Sequence, residues 1–148
     1  MQYFSKKKLI LPEGYFVNST NVPLAKEVNK LLTTCGCETF PIKPLSEAIK
    51  KSDFFFTIQN ELKNKLFGFV RVTSDRGLNA NLWNLSADKG NNQKLFYLIL
   101  LQITLEKINR EMPRCSISVQ APVSAFKSLE EIGFILDPNG IRVMGYKL

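Results

Sequence analysis

The spacing of apolar residues changes several times along the chain, and each change marks an element. From Asn21 to Gly36, Val22, Leu24, Val28, Leu31 and Leu32 recur as one face of a helix. Asn21 can cap this helix, Pro23 suits its first turn and Gly36 can end it. Pro41 and Pro44 frame a connection, after which Leu45, Ala48 and Ile49 predict a short second helix ending near Ser52. Residues 54–59 and 66–73 are rich in β-branched and aromatic side chains, and the polar segment 60–65 between them predicts an antiparallel hairpin. Residues 82–87 supply a further strand. Over 94–112, Leu98, Leu101, Leu105, Ile108 and Met112 form a stripe that Phe96, Ile99, Leu100 and Ile103 widen to most of the circumference, the mark of a long helix packed on two sides. A short strand at 115–120 follows, then a helix at 124–132 with Ser124 as cap and Gly133 as terminator. The Asp137-Pro138-Asn139-Gly140 turn leads into a closing strand at 141–148. The first strand is expected at 4–11, ahead of the break at Pro12-Glu13-Gly14.

Strand, two helices, an antiparallel meander, helix, strand, helix, strand: this order predicts an α/β (α+β) fold with a mixed sheet and helices on its faces. At 148 residues with 45% apolar content, the chain is expected to be a single domain spanning 1–148 with one core. The apolar run 95–105 is too short to cross a bilayer, and Leu9-Ile10-Leu11 after Lys6-Lys7-Lys8 is too short for a secretory signal, so no membrane association is expected. Cys35, Cys37 and Cys115 are odd in number and lack a repeated spacing, which suits a reducing compartment and predicts a cytoplasmic location. With no His and no paired C-x-x-C, they do not predict a metal site.

A net charge of +7 favours anionic partners in general. The basic residues are scattered and no nucleic-acid motif accompanies them, so a solvated basic surface is expected and nucleic-acid binding is not. Three consecutive aromatics at Phe54-Phe55-Phe56 must face both sides of a strand, which predicts burial rather than base stacking. Trp83, in a central strand, is read as core.

Two blocks carry a family resemblance. Gly68-Phe69-Val70-Arg71-Val72-Thr73-Ser74-Asp75 with Leu78-Asn79-Ala80-Asn81-Leu82-Trp83-Asn84 resembles the central strands of GNAT N-acetyltransferases of the cyanobacterial and plastid kind. Leu129-Glu130-Glu131-Ile132-Gly133-Phe134, followed by 137–144, resembles that group's closing helix, turn and last strand. The likeness covers roughly residues 29 to 146. It implies a GNAT-like, mainly antiparallel central sheet with helices on both faces. It also implies a sheet that splays beside the strand from Cys115, with acetyl-CoA as acetyl donor and an amine as acceptor. Pantetheine would lie in the splay against the backbone of Leu85, Ser86 and Ala87, and the diphosphate at Gln93, Lys94 and Leu95, where a helix start attracts phosphate.

The chain departs from that pattern twice. Asn92-Gln93-Lys94-Leu95-Phe96-Tyr97 stands where the family has a glycine-bearing phosphate loop, which predicts an obstructed site and weakened cofactor binding. Leu129 stands where many members place a proton-donating Tyr. Asn84 replaces a frequent Asp, leaving Asp75 as the candidate catalytic carboxylate, although Asp before Gly77 also suits a turn. Two functions follow as expectations: acetyl-CoA-dependent N-acetyltransfer with positioning and backbone N–H groups in place of a side-chain acid, or a non-catalytic module of the same fold.

Overall fold

The computed structural model describes residues 8–136 and Tyr146. Five strands lie in the order β1 (Tyr15–Asn18), β2 (Phe54–Asn60), β3 (Lys63–Ser74), β4 (Asn79–Ala87) and β5 (Ser116–Val119). The first four pair antiparallel and β5 pairs parallel to β4. On one face, α1 (Ala25–Thr34) and α2 (Ile42–Lys50) bury Val28, Leu31, Leu32, Leu45 and Ile49 against Phe55, Leu66 and Phe69. On the other, α3 (Gln93–Glu111) and α4 (Phe126–Ile132) pack on Ile58, Val70, Val72, Leu82 and Leu85. The sheet is thus mixed, mainly antiparallel and covered by helices on both faces. The expected turn at Asp137–Gly140 and strand at 141–148 lie outside the described residues.

Of the first strand expected at 4–11, residues 4–7 lie outside the described residues. Residues 8–11 form no strand; β1 begins after the turn in which the Tyr15 amide donates to the Pro12 carbonyl at 3.1 Å. What fixes this edge is aromatic packing, with the Tyr15 ring 5.0 Å from Phe67 and 5.1 Å from Phe96. The approach to α1 differs likewise. Asn18, rather than Asn21, organises it by accepting the Thr20 and Asn21 amides at 2.8 and 3.0 Å, and the helix begins at Ala25.

The chemistry of α3 follows from its apolar girth. Phe96, Tyr97, Ile99, Leu100, Leu101, Thr104, Leu105 and Ile108 are all buried, so the helix faces the sheet on one side and α4 on another. Gly68 lets it sit close: a Cβ there would lie 3.0 Å from both Leu100 Cδ1 and Ile58 Cδ1. Thr104 is fully buried, and its hydroxyl finds no hydrogen-bond partner among the described residues. Gly133 ends α4 as expected, at φ 108°.

Candidate functional site

The pairing of β4 with β5 runs only from Asn79↔Ser116 to Leu82↔Val119, and beyond Leu82 the two strands part. At the same point β4 carries a bulge. Phe69 pairs with Ser86 and Arg71 with Trp83, so three steps of β4 face two of β3, and Asn84 takes a left-handed φ of 54°. The bulge turns Asn84 toward Arg71, whose Nε donates to Asn84 Oδ1 at 2.7 Å. The expected splay beside the strand from Cys115 therefore lies at Trp83 to Ala87.

Several side chains meet over the parted segment. Ala87, Tyr97, Ala125 and Leu129 are buried in one cluster. The Ala87 carbonyl accepts from Gln93 Nε2 at 2.9 Å and from the Cys35 thiol at 3.1 Å. The Tyr97 hydroxyl lies 2.8 Å from Ser124 Oγ and donates to Cys35 Sγ at 3.7 Å. Ser124 is accordingly engaged with Tyr97 and does not cap the following helix by a side-chain bond, in contrast to the expectation. Burial pushes the Tyr97 phenol well above its ordinary range, so the group stays protonated: it offers an O–H hydrogen bond and is no base. Lys94 and Glu131 join the first turn of α3 to α4 through an exposed ion pair of 2.7 Å. None of these long-range partners could be paired from the sequence, because the contacts join α1, β4, α3 and the segment after β5.

The start of α3 is less obstructed than its sequence predicts. Phe96 and Tyr97 turn into the core and do not stand at the helix tip; Leu95 is half-buried. The Gln93 amide donates to Gly90 and that of Phe96 to Asn92, leaving the Lys94 and Leu95 amides without a protein acceptor among the described residues. Two unpaired N–H groups at the positive end of a long helix suit an anion. Of the remaining backbone positions, Leu85 and Ser86 are buried, and Ser86 Oγ donates to the Asn84 carbonyl at 3.0 Å.

Asp75 lies elsewhere. Its carboxylate accepts the Gly77, Leu78 and Asn79 amides at 2.9, 2.8 and 2.9 Å, and these bonds hold its pKa down to about 2. A carboxylate so committed is a poor base near neutral pH. It also sits beyond the N-terminal end of β4, whose first residue, Asn79, is itself about 16 Å along the strand from Asn84 at about 3.3 Å per residue. The geometry gives it the turn role and separates it from the parted strands.

Trp83 is half-exposed rather than core; its Nε1 donates to Thr73 Oγ1 at 2.8 Å. Phe54 and Phe55 are buried on opposite faces and Phe56 is half-buried. Among the described residues no three His, Cys, Asp or Glu side chains gather to hold a metal ion. Grooves of about 410 and 320 Å³ occur beside the β2–β3 connection and between α3, β5 and α4, and neither is lined by β4.

Known proteins resemble the chain in sequence and in fold. An uncharacterized N-acetyltransferase, ycf52, of Porphyra purpurea is 27% identical over 140 residues, covering 93% of this chain and 79% of that protein. The ycf52 protein of Gracilaria tenuistipitata var. liui is 29% identical over 125 residues, 80% of this chain and 65% of its own. The probable acetyltransferase SA2161 of meticillin-resistant Staphylococcus aureus superposes with a TM-score of 0.80 at 16% identity, over 90% of this chain and 99% of that one. In sequence the chain resembles N-acetyltransferases, and it shares the GNAT fold. No family model matches it. The fold is shared also with glucosamine-6-phosphate N-acetyltransferase of Arabidopsis thaliana, with a TM-score of 0.63 at 12% identity over 90% of this chain and 99% of that one.

Proposed function

We propose that the protein is an acetyl-CoA-dependent N-acetyltransferase acting on an amine, with weak hold on its cofactor. The observation that carries this reading is a parted strand pair leading to a helix tip with two amides that are unpaired among the described residues. In this reading Lys94 and Leu95 hold the diphosphate through their N–H groups, and Leu85 to Ala87 line the arm that joins it to the thioester. Acetyl-CoA supplies an activated acetyl group. The chain itself orients the reactants, with the protonated Tyr97 hydroxyl buried in the same cluster as Ala87.

Weak affinity follows from the local competition. The Tyr97 hydroxyl ties Ser124 to Cys35, and Gln93 and Cys35 already bond the Ala87 carbonyl, so these contacts must yield before a pantetheine arm can enter. The same contacts favour a second reading, a non-catalytic module that retains the fold. Thermal unfolding with acetyl-CoA separates the two. At 100 times its dissociation constant a one-site ligand adds about 2.7 kcal/mol, a shift of several degrees. A shift, with thiol release on adding an amine, supports the transferase; an unchanged melting temperature at millimolar acetyl-CoA leaves the module. We place the protein in a reducing aqueous compartment, cytoplasm or plastid stroma; one relative is the chloroplastic GCN5-related N-acetyltransferase 2 of Arabidopsis thaliana, 25% identical over 137 residues.

A further inference from the structure

Arg71 stands half-buried on the sheet face that carries α1 and α2, beside the point where β4 leaves β5. Three neighbours fix it. Asn84 accepts its Nε at 2.7 Å, the Trp83 ring lies 5.7 Å beneath its guanidinium carbon, and Trp83 is itself tied to Thr73 at 2.8 Å. Asn84 adopts a left-handed backbone to do so, a conformation that costs a non-glycine residue free energy. Yet no carboxylate among the described residues lies within ion-pair distance of Arg71, whereas Arg76 has Asp53 and Arg110 has Glu111. Its other guanidinium N–H groups bond no protein acceptor there, and they are not buried, since the one buried unpartnered side-chain polar atom is Thr104 Oγ1.

A planar fork within cation–π reach of an aromatic ring, oriented through Nε and left open at its outer edge, is built to receive two oxygens at once. Partial desolvation strengthens such a contact and lowers the Arg71 pKa from its ordinary value while leaving the group charged. The surroundings match: Asn81 and Ser118, joined side chain to side chain on the neighbouring strands, extend the polar floor, and the chain carries a net charge of +7.

We infer that Arg71, set against the Trp83 ring and steered by Asn84, anchors an oxyanion-binding site for a carboxylate or phosphate group. Resting on the transferase reading, the site makes the acceptor an amine that also bears such an anion, held next to the bulge of β4. Its detection needs no acetyl-CoA, so its failure and the failure of that reading are separate results.

Trp83 is the chain's one tryptophan and reports on the site directly. Its emission is followed while benzoate, phenyl phosphate and uncharged benzamide are titrated at constant ionic strength. A saturable change with an anion and none with benzamide is expected; benzoate alone assigns a carboxylate, phenyl phosphate alone a phosphate. Arg71→Gln should weaken that anion at least about tenfold, with Arg71→Lys intermediate because a point charge lacks the fork. Should Arg71→Gln fail to fold, Asn84→Gly, which suits the left-handed backbone and removes the steering amide, should weaken the same anion. No saturable response to either anion, or equal affinity in the variant that folds, overturns the site.

Discussion

At the scale of single residues, Asp75 shows how a candidate acid can be claimed by the backbone. Its ordinary carboxyl pKa of 3.8 falls to about 2 because three amides bond the ionised form. A folded-state pKa below the unfolded one contributes stability that is fully present above about pH 4 and is lost as pH falls toward 2. Asp75→Asn should therefore lower the melting temperature by a few degrees near neutrality and flatten its acid dependence in that window, as read by thermal unfolding across pH. Thr104 offers the opposite case: replacing a buried, unpartnered hydroxyl by a methyl of the same shape removes a desolvated polar group. Thr104→Val should raise unfolding free energy by about 1 kcal/mol in a urea titration. The Asp75-x-Gly77 turn was legible in sequence because its bonds are local. The bonds from Cys35 and Gln93 to the Ala87 carbonyl were not, since spacing along a chain carries no information on which distant main-chain oxygen a side chain will meet.

At the scale of elements, the long helices and the hairpin were legible because their apolar periods are strong: α1, α2 and α3 lie within a few residues of their expected ends. The first strand was not, because β1 is four residues at an edge with a half-buried pattern, while its aromatic anchors lie in β3 and α3. The beginning of α3 was read in outline only. Its bulky residues were evident, but the direction in which Phe96 and Tyr97 point depends on the helix phase set by Gly68 and Leu100. Gly68→Ala should consequently force α3 outward and cost about 1–3 kcal/mol in denaturant unfolding. Leu129, almost fully buried in the cluster that holds Ala87 and Tyr97, gives a two-sided prediction. Leu129→Ala should destabilise by about 2–5 kcal/mol, yet tighten acetyl-CoA in isothermal titration, because less must be displaced. Equal or weaker binding by a folded Leu129→Ala would mean that this side chain does not gate the cleft.

At the scale of the whole molecule, the sheet combines two kinds of connection. β1 to β4 pair in spatial order, β2 to β4 through short turns, whereas β5 meets β4 only after the whole of α3 has intervened. Closing that long excursion carries a larger chain-entropy cost for a pairing of four residue pairs. Under native conditions the β5 amides should thus exchange their hydrogens with deuterium ahead of those in β3, which has hydrogen-bonded neighbours on both sides. One wall of the cleft would then be drawn from the least protected part of the sheet, and entry of a long, flexible guest would depend on how often that seam breathes.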